Sequence, residues 1–271
     1  MRPITQSMRP PVVLAYHAVG DVPREQDPDG LVVPVDELRQ AITSLRERGY
    51  RFLTAAEFVR EMRDGRPPRG ICALTFDDGS EDNATVLPGV LASLGVPATL
   101  YVCPGLLGQP HPWLEPGSGV RIMTREQLEE TAKHDHIEIG SHTVRHADLA
   151  HADREQAGRE LTESKRLLEE MVGQPVKSFA YPYGHYSPAC LPAAEEAGYE
   201  SASTAGVRGS WNPFELQREL IGPGDWRLRF ELKARGLFRP IVQSPPMRLR
   251  LRLLGREHVP SQARQGSVGN V

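Results

Sequence analysis

Short runs of β-branched or apolar residues alternate along this chain with longer segments of helical period, and that alternation limits the fold more than any other feature. A strand followed by a crossover helix returns to its sheet as a parallel neighbour, so repeated pairs build a parallel sheet covered by helices. Val12 to Tyr16 reads as a buried strand. From Val35 to Gly49, apolar Leu38, Ile42 and Leu45 stand among charges, which predicts an amphipathic helix closed by a glycine. Thr54 with Glu57 predicts a capping box opening a helix to about Asp64, and Thr124 with Gln127 predicts another to His134. Strands are expected at Ile71 to Phe76, Ala98 to Val102, Ile137 to Ile139, Ser178 to Tyr181 and Tyr199 to Thr204, and helices at Val86 to Leu94, Asp153 to Val172 and Pro188 to Ala197. A polar, proline-rich loop fills 104–120, the pattern fades after Leu220, and little regular structure is expected beyond Pro240. The α/β alternation fits a barrel or an open doubly wound sheet, and periodicity alone leaves both open.

With 271 residues and 39% hydrophobic content, the chain can bury a full core. The expected division is a flexible segment over 1–11, a globular domain over 12–238 and a basic tail over 239–271. A formal net charge of −3 argues against a nucleic-acid binder driven by phosphate neutralisation. The basic run Met247 to Arg256 reads as a solvated tail, with an edge strand or a membrane-surface or partner-binding segment as its alternatives. Cys72, Cys103 and Cys190 are odd in number and far apart, so they read as reduced core residues. The first eleven residues hold no apolar signal-peptide core, and no stretch approaches about 18 continuous apolar residues, which predicts a soluble cytoplasmic protein.

Three stretches carry chemistry. In Ala73 to Asp82, ALTFDDGSED, an apolar strand runs into adjacent Asp77 and Asp78 and then a glycine. Asp-Gly is a common turn dipeptide, but two neighbouring carboxylates repel unless something pairs them. In Ile137 to His146, IEIGSHTVRH, His142 and His146 follow a short strand at a spacing of four, which on a helical turn puts both imidazoles on one face. Alone the pair is an ordinary surface motif, but both stretches end strands where α/β folds place their sites. Two neutral imidazoles and one carboxylate make a three-ligand zinc site with a fourth position for water, and the second carboxylate then stands ready to take a proton. In Ser178 to His185, SFAYPYGH, a strand enters a Pro-Tyr-Gly turn that can offer the Tyr183 N–H to a developing oxyanion.

TFDDG, SHTVRH and FAYPYG, in this order, resemble the leading motifs of the polysaccharide deacetylase family, the NodB-homology or carbohydrate esterase family 4 group. The resemblance spans about Val12 to Leu232 and implies a distorted (β/α) barrel and metal-dependent removal of N-acetyl groups from sugars. By position it implies that Asp77 is the general base and that Asp78, His142 and His146 hold a divalent metal, zinc first, with cobalt, nickel or iron as alternatives. The implied partner is an N-acetylated carbohydrate: a polysaccharide, glycolipid or glycoside precursor.

Two departures from the family pattern matter. The arginine expected early in the third motif to orient the base is missing, and Arg218 is the substitute proposed for it. The late Leu-x-His motif that supplies a general acid is also missing; after His185 only His258 remains. The branch resembling poly-N-acetylglucosamine deacetylases has a Tyr-His at the end of its first strand, and Leu14 to Val19 fits it, which makes His17 the candidate acid. Asp225-Trp226 resembles part of a motif that tunes the acid or walls the pocket, and the loop with His111, Trp113 and Leu114 is a candidate cover for the sugar. Two rival readings stand beside this one: an amidohydrolase acting on a cyclic or small-molecule amide, and a non-catalytic sugar-binding relative.

Overall fold

The computed structural model describes residues 9–205, 211–225 and 228–235, so Trp226 and the expected tail at 239–271 lie outside the described residues. In chain order the elements are β1 (Val12–Tyr16), β2 (Ala18–Val19), β3 (Val32–Val33), α1 (Val35–Glu47), β4 (Arg51–Leu53), α2 (Ala55–Arg60), β5 (Ile71–Phe76), α3 (Asp82–Thr85), α4 (Leu87–Leu94), β6 (Ala98–Val102), α5 (Arg125–Thr131), β7 (Ile137–Ser141), α6 (Arg154–Val172), β8 (Ser178–Ala180), α7 (Cys190–Glu196), β9 (Ser201–Ala205), β10 (Leu216–Leu220) and α8 (Leu228–Ala234). Strands β5 through β10 pair in sequence, all parallel, and β1 joins β10 on one side and β5 on the other. The sheet is therefore a closed barrel, which settles the choice that periodicity left open.

The barrel is distorted at one place. β1 lies along Cys72 to Phe76 on one edge of β5, so β4 and β6 share the other: β4 takes Ile71 to Ala73, and β6 takes Thr75 and Phe76. β4 thus wedges in where β5 and β6 part.

Period-two alternation sorts the side chains into two environments. Leu14, Tyr16, Leu74, Phe76, Leu100 and Ile139 join the core that includes Leu38 and Ile42 of α1, Leu91 of α4 and Leu128 of α5. The intervening residues face into the barrel and many are polar. Glu138 accepts hydrogen bonds from Thr99 (2.8 Å), Ser178 (2.5 Å) and the Ala56 N–H (3.2 Å), while Tyr101 and Ser203 pair at 3.0 Å. Gly140 makes room for that tyrosine, since a Cβ there would lie 2.5 Å from the Tyr101 ring. The opposite end of the barrel from the strand C-termini is plugged by α2, whose Phe58 packs with Val13, Ile71, Ala73 and Leu216.

Capping boxes form at Thr54 and Thr124 as expected, and another forms at Asp153 with Gln156. The helix expected to run to Asp64 stops at Arg60, because a tight turn with Asp64 and Gly65 in left-handed conformation reverses the chain. The three cysteines are free and buried. At the start of the described chain, Arg9 donates to the carbonyls of Arg48 (3.2 Å) and Gly49 (2.9 Å), and Pro10 accepts from the Tyr50 hydroxyl. Among the described residues no helix is long and apolar enough to cross a membrane.

Because Phe58 is fully buried and seals the barrel floor, Phe58→Ala should lower the unfolding free energy by about 3–5 kcal/mol in urea titration. A loss under about 1 kcal/mol would show that the floor closes without it.

Candidate active site

Strand β5 delivers Asp77 and Asp78 to the barrel mouth. The Asp77 N–H still donates to the Tyr16 carbonyl at 2.9 Å, so the first carboxylate sits on an extension of the β1–β5 ladder. Asp78 then turns away with φ 72°, a left-handed conformation costly for a residue other than glycine. The two adjacent side chains consequently meet different surroundings.

Asp77 meets Arg218. From the middle of β10, Arg218 reaches across the barrel and donates to both carboxylate oxygens, Nη1 to Oδ1 at 2.6 Å and Nη2 to Oδ2 at 2.8 Å. It also donates to the Thr75 hydroxyl at 3.1 Å, and its guanidinium lies 5.3 Å from the Tyr101 ring centroid. Arginine and aspartate are 3% and 5% exposed, so this is a desolvated, two-pronged ion pair. Burial is the largest influence on Asp77 and would raise its pKa, but Arg218, with help from His142 and His17, outweighs it and holds the carboxyl well below the usual range. Asp78 goes the other way, because burial and the charge on Asp77 both push its pKa up. Among the described residues no such partner awaits it: Asp78 Oδ1 is buried without a hydrogen bond.

Facing Asp78 are the two imidazoles. His142 Nε2 lies 3.6 Å and His146 Nε2 3.5 Å from Asp78 Oδ1. The three potential ligand atoms fall within 4.8 Å of one another. The spacing of four does not reflect a helix. His142 leaves β7 into a turn in which Thr143 (φ 61°) and His146 (φ 60°) are both left-handed, and this turn brings the rings to 4.8 Å. His142 Nδ1 lies 2.7 Å from the Ala180 carbonyl, which fixes that nitrogen as the N–H and leaves Nε2 with its lone pair toward Asp78. Burial lowers the pKa of His142 to about 4 and that of His146 further, so both rings are neutral near pH 7. Neutral imidazole nitrogens and an unpartnered buried carboxylate oxygen are what a divalent ion needs, so these residues fit a metal.

The rim brings in other expected residues. His17 follows β1 and is half-buried; burial lowers its pKa, while the charge on Asp77 opposes that shift. Its carbonyl accepts from Asn83 Nδ2 at 3.0 Å, and the adjacent Asp82 accepts from the Val19 N–H at 2.6 Å. Short helix α3 thereby holds the His17 segment from below. Tyr183 is left-handed at φ 59°, 52% exposed, with its ring 4.5 Å from that of His146. Gly184 beside it is required, because a Cβ would lie 2.5 Å from the Ala205 nitrogen. Within the 104–120 loop, Trp113 lies 4.3 Å from the His146 ring, whereas Leu114 is buried with Ala18 and Val32 and is no part of the rim. Asp225 is buried, accepting from the Gly222 N–H and from Lys233, so it stabilises the β10–α8 corner. Sequence reasoning missed Thr75, Tyr101 and Asn83. The first two were legible only as polar breaks in apolar strands, and Asn83 only as an amide after the aspartate pair.

Comparisons with known proteins bear on the family and the fold. The model of the polysaccharide deacetylase family matches residues 64–202. The Bacillus subtilis protein YxkH, by name a candidate polysaccharide deacetylase, is 30% identical over 216 residues, 78% of this chain and 71% of that protein. The poly-beta-1,6-N-acetyl-D-glucosamine N-deacetylase of Staphylococcus aureus is 24% identical over 200 residues, 70% of this chain and 67% of that one. Among solved structures, the Streptococcus pyogenes deacetylase PplD in complex with acetate superposes with a TM-score of 0.70 at 26% identity, covering 82% of this chain and 97% of that one.

Removing Arg218 strands a buried charge, so Arg218→Met should cost about 3–5 kcal/mol of stability at neutral pH. The sign of its pH dependence follows from the direction of the Asp77 shift. A carboxyl held below its unfolded value stabilises the fold above that value, about 3.9, and the gain is lost as the pH falls through the folded value. Without Arg218, burial is left as the largest influence and raises the Asp77 pKa, so the advantage of wild type over the variant, measured by urea unfolding, should be greatest near pH 7 and shrink as the pH falls into the acid range; a constant difference would contradict the ion pair.

Proposed function

Because the chain belongs to the polysaccharide deacetylase family and is a hydrolase of carbon–nitrogen bonds, we propose that it removes acetyl groups from an N-acetylated sugar in a metal-dependent reaction. One observation carries this reading: Asp78, His142 and His146 converge on one point beside a carboxylate that Arg218 keeps ionised. Asp78, His142 and His146 would hold the ion, zinc being the first choice for a two-imidazole, one-carboxylate set. When bound there, it supplies Lewis acidity that polarises the acetamide carbonyl and acidifies water.

The chain's own groups supply the rest. Asp77, ionised and fixed in orientation by two hydrogen bonds, takes a proton from the attacking water. The Tyr183 N–H, on a left-handed turn beside His146, is the proposed donor to the oxyanion that forms at the former carbonyl oxygen. His17 gives a proton to the departing nitrogen; the charges on Asp77 and Asp27 favour its protonated form against the burial that lowers its pKa. The balance is one amide and one water in, one acetate and one free amine out. The name of the Staphylococcus aureus relative directs the choice of substrate to N-acetylglucosamine polymers or their precursors.

The test is acetate release from N-acetylated sugars, with cyclic amides as the comparison set. Asp77→Asn should lower kcat by at least about a hundredfold with metal content unchanged, whereas His142→Ala should lose activity together with bound metal, read by elemental analysis. Full hydrolysis by metal-stripped protein would contradict the proposal. Sugar binding without acetate release from metal-loaded protein would favour a non-catalytic relative, and turnover of cyclic amides alone would favour the small-molecule reading.

A further inference from the structure

One buried polar side chain at the mouth takes no part in the chemistry above. His111 belongs to the loop that folds over the site. Its N–H donates to the Val120 carbonyl at 3.1 Å, beside a bridge between Pro110 and Arg121, so its backbone is tied on both sides. Its ring stands edge-on to Trp113 at 5.6 Å, and Trp113 in turn lies 4.3 Å from the His146 ring. The residue is 4% exposed, yet neither ring nitrogen has a hydrogen-bond partner among the described residues.

The charged and titratable groups that act on it are His17 and Asp27. Asp27 is committed elsewhere, accepting from the backbone N–H groups of Leu31 (2.8 Å) and Val32 (3.0 Å). Burial, followed by the neighbouring His17, lowers the His111 pKa to about 4, so the ring is neutral and offers one donor and one acceptor. Burying both without partners is unfavourable, and native proteins rarely tolerate it without a purpose. A phenylalanine would fill the same space against Trp113 at no such cost. The polar ring is therefore explained by something that arrives from outside and pairs with it.

We propose that His111 is a substrate-positioning residue that hydrogen-bonds a hydroxyl of the sugar bearing the acetamide, its ring nitrogens, buried in the free protein, being uncovered when the loop carrying Trp113 shifts to admit the sugar. A hydroxyl can give or accept, so it can pair with either ring nitrogen of a neutral imidazole, and the neighbours of His111 are His17 and, through Trp113, the metal-fitting His146. Trp113 covers the sugar face while His111 reads its hydroxyl pattern. The inference rests on the N-acetylated-sugar reading and makes it more specific, because an amide substrate without hydroxyls would leave His111 unpaired.

The experiment compares metal-loaded wild type with His111→Phe and His111→Gln on a β-1,6-linked tetramer of N-acetylglucosamine, following acetate release and thermal unfolding. His111→Phe should raise KM about tenfold to a hundredfold with kcat within about threefold, and His111→Gln should recover part of the loss. Because Phe removes two unpaired polar atoms from a buried place, the unfolding temperature of the free protein should hold or rise. A purely structural histidine would give the opposite pattern, with stability and kcat falling together, and that result overturns the inference, as does an unchanged KM. If wild type releases no acetate from any sugar, the functional reading fails by itself. Calorimetric binding of the same tetramer then judges His111: weaker binding by the Phe variant upholds the role, and equal or absent binding overturns it.

Discussion

The site depends on a single buried ion pair. Two adjacent aspartates at the end of one strand would ordinarily share one chemical fate, each raising the pKa of the other in a place with little water. Arg218 breaks that symmetry. By taking both oxygens of Asp77 it fixes one carboxylate as ionised, and the left-handed turn at Asp78 points the second toward His142 and His146 instead. Neighbouring positions thus acquire environments that push their proton affinities apart, as the proposed division into base and ligand requires.

Barrel closure makes that pair possible. Arg218 and Asp77 are 141 residues apart in sequence and meet only because β10 closes against β1, which lies beside β5. The interior they share is lined by Thr75, Tyr101 and Ser203 rather than by aliphatic layers, so the guanidinium crosses a polar channel and finds partners on the way. The aliphatic burial that stabilises the fold lies outside, between strands and helices, and at the floor under Phe58. Backbone strain collects at the mouth: of the five non-glycine residues with positive φ among the described residues, Asp78, Thr143, His146 and Tyr183 all surround the site.

Much of this was legible in the sequence, for identifiable reasons. Capping boxes and uninterrupted apolar runs are local signals, so β1, β5, β6 and the helices α1, α5 and α6 fall close to their expected places. The strand β10 escaped notice because Leu216 to Leu220 carries Gln, Arg and Glu, and its polar inward face reads as loop. The choice between barrel and open sheet depends on which strand meets β1, a nonlocal fact. Asp77, Asp78, His142 and His146 could be singled out as residues, but the helix supposed to align the histidines is a turn whose left-handed residues have no sequence signature in Thr or His. The mate of Asp77 was only a candidate arginine until the register of β10 placed it, and His111, named as part of a covering loop, gained its meaning from burial without partners.

The measurement that bears most directly on the division of labour is anomalous diffraction at the zinc edge from crystals of the full chain grown with zinc. A single strong peak bonded to Asp78, His142 and His146, with Asp77 still gripped by both Arg218 nitrogens, is the predicted result. A peak bonded to Asp77 with Arg218 displaced, or no peak among these residues at saturating zinc, would contradict it.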